Sequence, residues 1–70
     1  MKIFAERLNK LRCEKEITQI HLEKILGYSG CKVHHMERNR RDPNIYDVIA
    51  LAKFFNVSTD YLLGLTDVMN

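Results

Sequence analysis

The stretch Thr18-Gln19-Ile20-His21-Leu22-Glu23-Lys24-Ile25-Leu26-Gly27-Tyr28-Ser29, continuing through Gly30-Cys31-Lys32-Val33-His34-His35-Met36-Glu37-Arg38, decides how this chain folds. It predicts a short helix, a tight turn at Gly27 and a second short helix. Thr18 can accept from first-turn backbone N–H groups and so opens the first of these helices. Leu22, Ile25 and Leu26 supply an apolar stripe at helical spacing. Ile20 falls opposite Leu22 and is expected at the surface, and Glu23 flanks the stripe. Ser29 can cap the next helix, expected from near Ser29 to near Arg38, with Val33 and Met36 inward and Glu37 beside them. Cys31 and His35 fall on the opposite side, flanked by Lys32 and His34, and Arg38 continues it. An unpaired carboxylate at Glu37 would be costly among buried neighbours, so it needs a cation, and Arg12 is the candidate.

The flanking segments read as more helix. Phe4, Leu8 and Leu11 recur at helical spacing and predict a first helix from about Lys2 to Lys15. After Asn39-Arg40-Arg41-Asp42-Pro43, where Asn39 tolerates the left-handed conformation that follows a helix, Asn44 can cap a fourth helix. Its inward face is Val48, Leu51, Ala52 and Phe55. Ser58 can cap a fifth helix, Leu62 and Leu63 complete the core, and Gly64 is the expected stop. The expected fold is all-α: a compact five-helix domain over residues 1–70, with its core in 4–65 and a C-terminal tail at 66–70.

Composition agrees with this class. Seventy residues allow one domain, and three glycines and one proline leave room for helices with short connections. No run of about 18 apolar residues is present, so no membrane span is expected. The N-terminus lacks a charged region followed by an apolar core, so no secretory signal is expected. The two cysteines, Cys13 and Cys31, make no disulfide framework and suit a reducing cytosol. Cys31 and His35 are spaced i, i+4, and His34 and His21 could be added. No second ligand pair has compact finger spacing, so no metal or other cofactor is expected. Nor does the chain carry a nucleophile beside a base, paired carboxylates or a phosphate-cradling glycine loop, so an enzyme is not expected.

The net charge is only +2, but it is unevenly spread. Residues 30–41 hold Lys32, Arg38, Arg40 and Arg41 against Glu37 alone; residues 42–70 hold Lys53 against Asp42, Asp47, Asp60 and Asp67. A basic middle of this kind steers a polyanion onto one face. Two helices joined by a glycine turn, with that charge crowded at the second, form a helix-turn-helix suited to the DNA major groove. Gln19, in the first turn of its helix, suits a phosphate oxygen. Lys32 is the best base-edge donor, and His34 and His35 can donate or accept. Apolar residues left outside the core, Phe54, Tyr61, Leu65, Val68 and Met69, suggest a dimer or partner surface at the C-terminal end.

In order and spacing, residues 6 to 65 resemble the lambda-repressor-like helix-turn-helix family, also called the xenobiotic-response-element family. The resemblance is carried by Glu6-Arg7-Leu8, Leu11-Arg12, Ile17-Thr18-Gln19, Leu22, Leu26-Gly27-Tyr28-Ser29, Met36-Glu37 and Arg41-Asp42-Pro43, and extended by Leu51-Ala52, Val57-Ser58 and Asp60-Tyr61-Leu62-Leu63. It implies sequence-specific binding of double-stranded DNA by a homodimer on a near-palindromic operator. The base-reading positions it implies are Gly30, Cys31, Lys32, His34 and His35. The phosphate-holding positions are Gln19, Ser29, Arg38, Arg40 and Arg41, and the structural ion pair is Arg12 with Glu37. The sequence departs from the family pattern at Glu16 and Asn39, where glycine is usual, and at Glu23, where a small residue is common. The expectation is a cytoplasmic transcriptional regulator, a repressor that blocks polymerase. The competing expectation is a protein-interaction module, antitoxin-like or bound by an anti-repressor, that uses the same fold through its apolar C-terminal face.

Overall fold

The computed structural model describes residues 1–69 and shows the all-α, five-helix architecture: α1 (Lys2–Glu14), α2 (Gln19–Leu26), α3 (Lys32–Glu37), α4 (Ile45–Phe55) and α5 (Thr59–Leu63). No strand occurs among the described residues. The tail expected at 66–70 is seen to Met69, and Asn70 lies outside the described residues.

One core joins all the helices. Phe4, Leu8 and Leu11 of α1, Leu22 of α2, Val33 and Met36 of α3, Val48, Leu51, Ala52 and Phe55 of α4, and Tyr61 and Leu62 of α5 are buried together. α1 packs on α3 and α5, α2 on α3, and α4 on α5. α3 is therefore backed by α1 and α2, and its two apolar residues, Val33 and Met36, are its anchors.

The helix ends show how so short a chain turns so often. Thr18 Oγ1 accepts from the His21 N–H, and Ser58 Oγ accepts from the Tyr61 N–H. Asn44 and Asp47 form a reciprocal capping box at the start of α4. Each helix is followed by a residue in the left-handed region: Glu16 (φ 56°), Gly27 (φ 72°), Asn39 (φ 58°), Asn56 (φ 57°) and Gly64 (φ 83°). The next N–H then bonds back across the end of the helix, as in Tyr28 N to Glu23 O at 2.8 Å, Arg40 N to His35 O at 2.9 Å and Leu65 N to Asp60 O at 2.9 Å.

The expected start of α3 is corrected. Ser29 does not cap it, because Gly30 (φ 67°) and Cys31 (φ 58°) are both left-handed and extend the turn, so that the helix starts at Lys32. Cys31 provides no side-chain cap. Instead Glu23, from the middle of α2, reaches across and accepts from the Val33 N–H at 3.0 Å. A carboxylate where a small residue is usual thus serves the next helix as a remote cap.

The tail is tied down by Arg7. Its guanidinium lies 4.2 Å from the centroid of the Tyr61 ring. It donates to the carbonyl oxygens of Tyr61 and Thr66 and to the Asp67 carboxylate. Tyr61, expected on a C-terminal contact surface, is only 4% exposed, because it fills the space between Arg7 and the core. Phe54 and Met69 are half-buried against the core, and Phe54 meets Phe55 edge-on at 5.0 Å. Of that expected surface, only Leu65 and Val68 are exposed. Exposed apolar residues also gather elsewhere: Met1, Ile45 and Ile49 line a shallow cleft of about 420 Å³ together with Pro43, Val48 and Leu63.

Candidate nucleic-acid interface

α3 is a helix of six residues that cannot be stable alone, and its sequence supplies attachments on three sides. Val33 and Met36 plug it into the core, and Glu23 holds its N-terminal N–H. Glu37 holds its C-terminal end. Arg12 Nε donates to Glu37 Oε2 at 2.6 Å and Arg12 Nη2 to Oε1 at 3.1 Å, while Arg12 Nη1 donates to the Ile17 carbonyl oxygen. Asn9 Nδ2 and Gln19 Nε2 both donate to Glu37 Oε1 at 2.9 Å. One carboxylate therefore gathers α1, α2 and α3. Burial alone would raise its pKa, but the hydrogen bonds from Arg12, Gln19 and Asn9 and the Arg12 charge together outweigh it, and the Glu37 carboxyl is held below its ordinary value. The same pairing raises Arg12.

The network continues to His34. A carboxylate only accepts, so Gln19 must turn its amide nitrogen toward Glu37, which leaves Gln19 Oε1 facing His34 Nδ1 at 3.3 Å. In a neutral ring that contact requires the proton on Nδ1 and leaves Nε2 as an acceptor. The His34 and His35 rings stand edge to face with centroids 5.5 Å apart, and both are half-buried.

Lys32 departs from its sequence-based role. It was expected to extend toward base edges, but its ammonium turns back to Asp47 Oδ1 at 2.6 Å, and its side chain is 15% exposed. It also lies 4.2 Å from the centroid of the Tyr28 ring. Asp47 is the buried member of the α4 capping box. Burial pushes its pKa up; the hydrogen bonds from Lys32 and the Asn44 N–H, with the Lys32 charge, pull it down and prevail. Burial, followed by the neighbouring Asp47, raises the Tyr28 hydroxyl, which is buried without a hydrogen-bond partner. The sequence shows Asn44 and Asp47 as a helix start but not the burial of Asp47, so neither its need for a cation nor Lys32 as its partner was legible.

Among the expected base-reading positions, Gly30 and Cys31 are exposed, His34 and His35 are half-buried, and Lys32 is turned inward. Of the expected phosphate positions, Ser29, Arg38, Arg40 and Arg41 are exposed and Gln19 is half-buried with one amide N–H engaged. Sequence reasoning missed Asn9, Glu23 and Asp47, each of which holds α3 from another helix. No group of His, Cys, Asp and Glu among the described residues has the geometry of a metal site, and Cys31 and Cys13 are free thiols.

Comparison with known proteins points the same way. A family profile described as a helix-turn-helix domain matches residues 5–68. The chain is 35% identical over 64 residues to the HTH-type transcriptional regulator ImmR of Bacillus subtilis, covering 91% of this chain and 50% of ImmR. It is 34% identical over 62 residues to repressor protein C2 of Salmonella phage P22, covering 89% of this chain and 29% of C2. It is 33% identical over 66 residues to the uncharacterised HTH-type transcriptional regulator y4dJ of Sinorhizobium fredii, covering 94% of this chain and 86% of y4dJ. The chain spans 58%, 50% and 29% of the regulator YobD, ImmR and C2 respectively. No solved structure gives a significant match.

Proposed function

We propose, from the premise that this chain belongs to the lambda-repressor-like helix-turn-helix family, that it binds double-stranded DNA in sequence-specific fashion and regulates transcription, as a repressor. The observation that carries this reading is the exposure of both ends of α3: Gly30 and Cys31 precede it and Arg38, Arg40 and Arg41 follow it, all exposed, with half-buried His34 and His35 between them. The tail is held by Arg7 on α1.

In this reading α3 enters the major groove and α2 crosses the backbone above it. His35 and the His34 edge left free by Gln19 meet base edges, while Cys31 and Gly30 allow the helix to approach closely. Arg38, Arg40 and Arg41 hold phosphates, joined by Ser29 and by the second amide hydrogen of Gln19. Two copies on a near-palindromic operator place their helices about 34 Å apart, one turn of the duplex. Repression follows from occupying the site that polymerase needs, in the cytoplasm.

Selection from a random duplex pool tests the reading: a conserved two-fold-related site is the expected result, and recovery of no preferred sequence refutes it. Arg40→Ala should then weaken binding to all sequences alike and lower the slope of log affinity against log salt by about one. An unchanged slope removes Arg40 from the phosphate contacts. The second reading, a protein-interaction module, is favoured by the apolar cleft at Ile45 and Ile49. Binding that is indifferent to salt and to duplex would favour it.

A further inference from the structure

Lys32 is the sole lysine or arginine within α3, and it is held where it cannot face outward without leaving a buried carboxylate alone. Three groups surround its ammonium or its partner. Asp47 Oδ1 accepts from it at 2.6 Å, and the Tyr28 ring lies on it at 4.2 Å. Asp47 Oδ2 is itself engaged by the Asn44 N–H at 3.0 Å. The Asp47 side chain is 4% exposed. Removing a cation from a buried carboxylate that is locked in a capping box is far less favourable than withdrawing one from a surface pair. Lys32, Asp47 and Tyr28 lie on three different parts of the fold: the first turn of α3, the first turn of α4 and the connection between α2 and α3.

We propose that Lys32 is a positioning residue and not a base reader: its ammonium latches the N-terminal end of α3 to the capping box of α4 and to Tyr28, and so sets the tilt at which α3 is presented. Base preference is then read by the imidazoles and the small residues of the outer side, with no cationic side chain of α3 taking part. The base-preference arm rests on the DNA-binding reading; the latch itself does not.

Two measurements decide it. In a urea-unfolding cycle of wild type, Lys32→Met, Asp47→Asn and the double variant, each single change lowers the midpoint, and the double variant falls no further than the worse single. Losses that simply add overturn the latch. On a duplex selected by the wild type, Lys32→Met weakens binding to all sequences alike, because α3 loses its set tilt, but keeps the preferred base at every position and the wild-type salt slope. Asp47→Asn steepens that slope by about one, because the freed ammonium reaches a phosphate, and the double variant lacks the increment. Loss of preference at one base pair in a folded Lys32→Met protein overturns the proposal. Lys32→Met keeps the aliphatic stem in place, so its base-preference readout stands whether or not Asp47→Asn folds. If the wild type selects no duplex, the DNA reading fails on that result while the unfolding cycle still decides the latch.

Discussion

Glu37 and Asp47 are carboxylates that burial alone disfavours in the charged form, and each is paired with one cation, Arg12 and Lys32, and with further hydrogen-bond donors. Both are held below their ordinary pKa. A carboxylate depressed in the folded state contributes stability that is complete above its unfolded pKa, about 4, and is lost as pH falls through the folded value. The part of the urea-unfolding free energy that these two carboxylates supply should therefore hold from neutral pH down to about 5 and decline below it. Arg12→Ala should lower it by about 3–5 kcal/mol at neutral pH, as expected for a buried partner left alone, and should make the acid decline shallower. A decline of wild-type steepness in Arg12→Ala would show that the Arg12 pairing contributes nothing to it. The relay from Glu37 through Gln19 fixes a proton at His34. Imidazole nitrogen NMR of the neutral ring should find it on Nδ1, and Gln19→Ala should release that preference. Finding the Nε2 tautomer in the wild type would break the relay.

At the scale of the element, the helices are short and their ends carry much of the design. Each is stopped by a left-handed residue, and only Gly27 and Gly64 are glycines among the five stops named above. Asparagine tolerates that conformation through local hydrogen bonding, whereas glutamate at Glu16 has no such relief. Glu16→Gly should raise stability by about 0.5–1 kcal/mol, less than the full left-handed penalty because glycine also loses more freedom on folding. Thermal unfolding measures this, and an unchanged or lower midpoint would mean that Glu16 is held by something other than its backbone. The helix periods of α1 and α4 were legible because apolar residues recur with the turn of a helix, and α5 was legible from its Ser58 cap and Gly64 stop. The start of α3 was not legible. Its cap comes from Glu23 on α2, and nothing local distinguishes Ser29 from a working cap until Gly30 and Cys31 are known to be left-handed.

For the whole molecule, the apolar residues left over by the core were expected to form one C-terminal surface. Packing has redistributed them: Tyr61 is consumed by Arg7, Phe54 and Met69 rest against the core, and Leu65 and Val68 remain outside. If these two contribute to the proposed dimer, Leu65→Asp should leave binding to a single half-site unchanged and reduce the advantage of a two-half-site duplex by at least tenfold, about 1.4 kcal/mol. Titration of the two duplexes side by side reads this directly, and equal advantages for wild type and variant would move the dimer contact elsewhere, with the Ile45–Ile49 cleft as the next surface to test.

Sequence alone determined the helical class, the order of the five helices and most of the core, and it offered Arg12 as the partner of Glu37. These follow from periodicity, from turn chemistry and from the cost of an unpaired buried carboxylate, all of which act over a few residues or admit few partners. Tertiary structure alone decided that Lys32 faces Asp47, that Glu23 serves α3, and that Tyr61 is interior. In each case the partner lies on another element, distant in sequence, and only the packing of the helices supplied the charge, the free N–H or the stacking guanidinium that fixed the side chain.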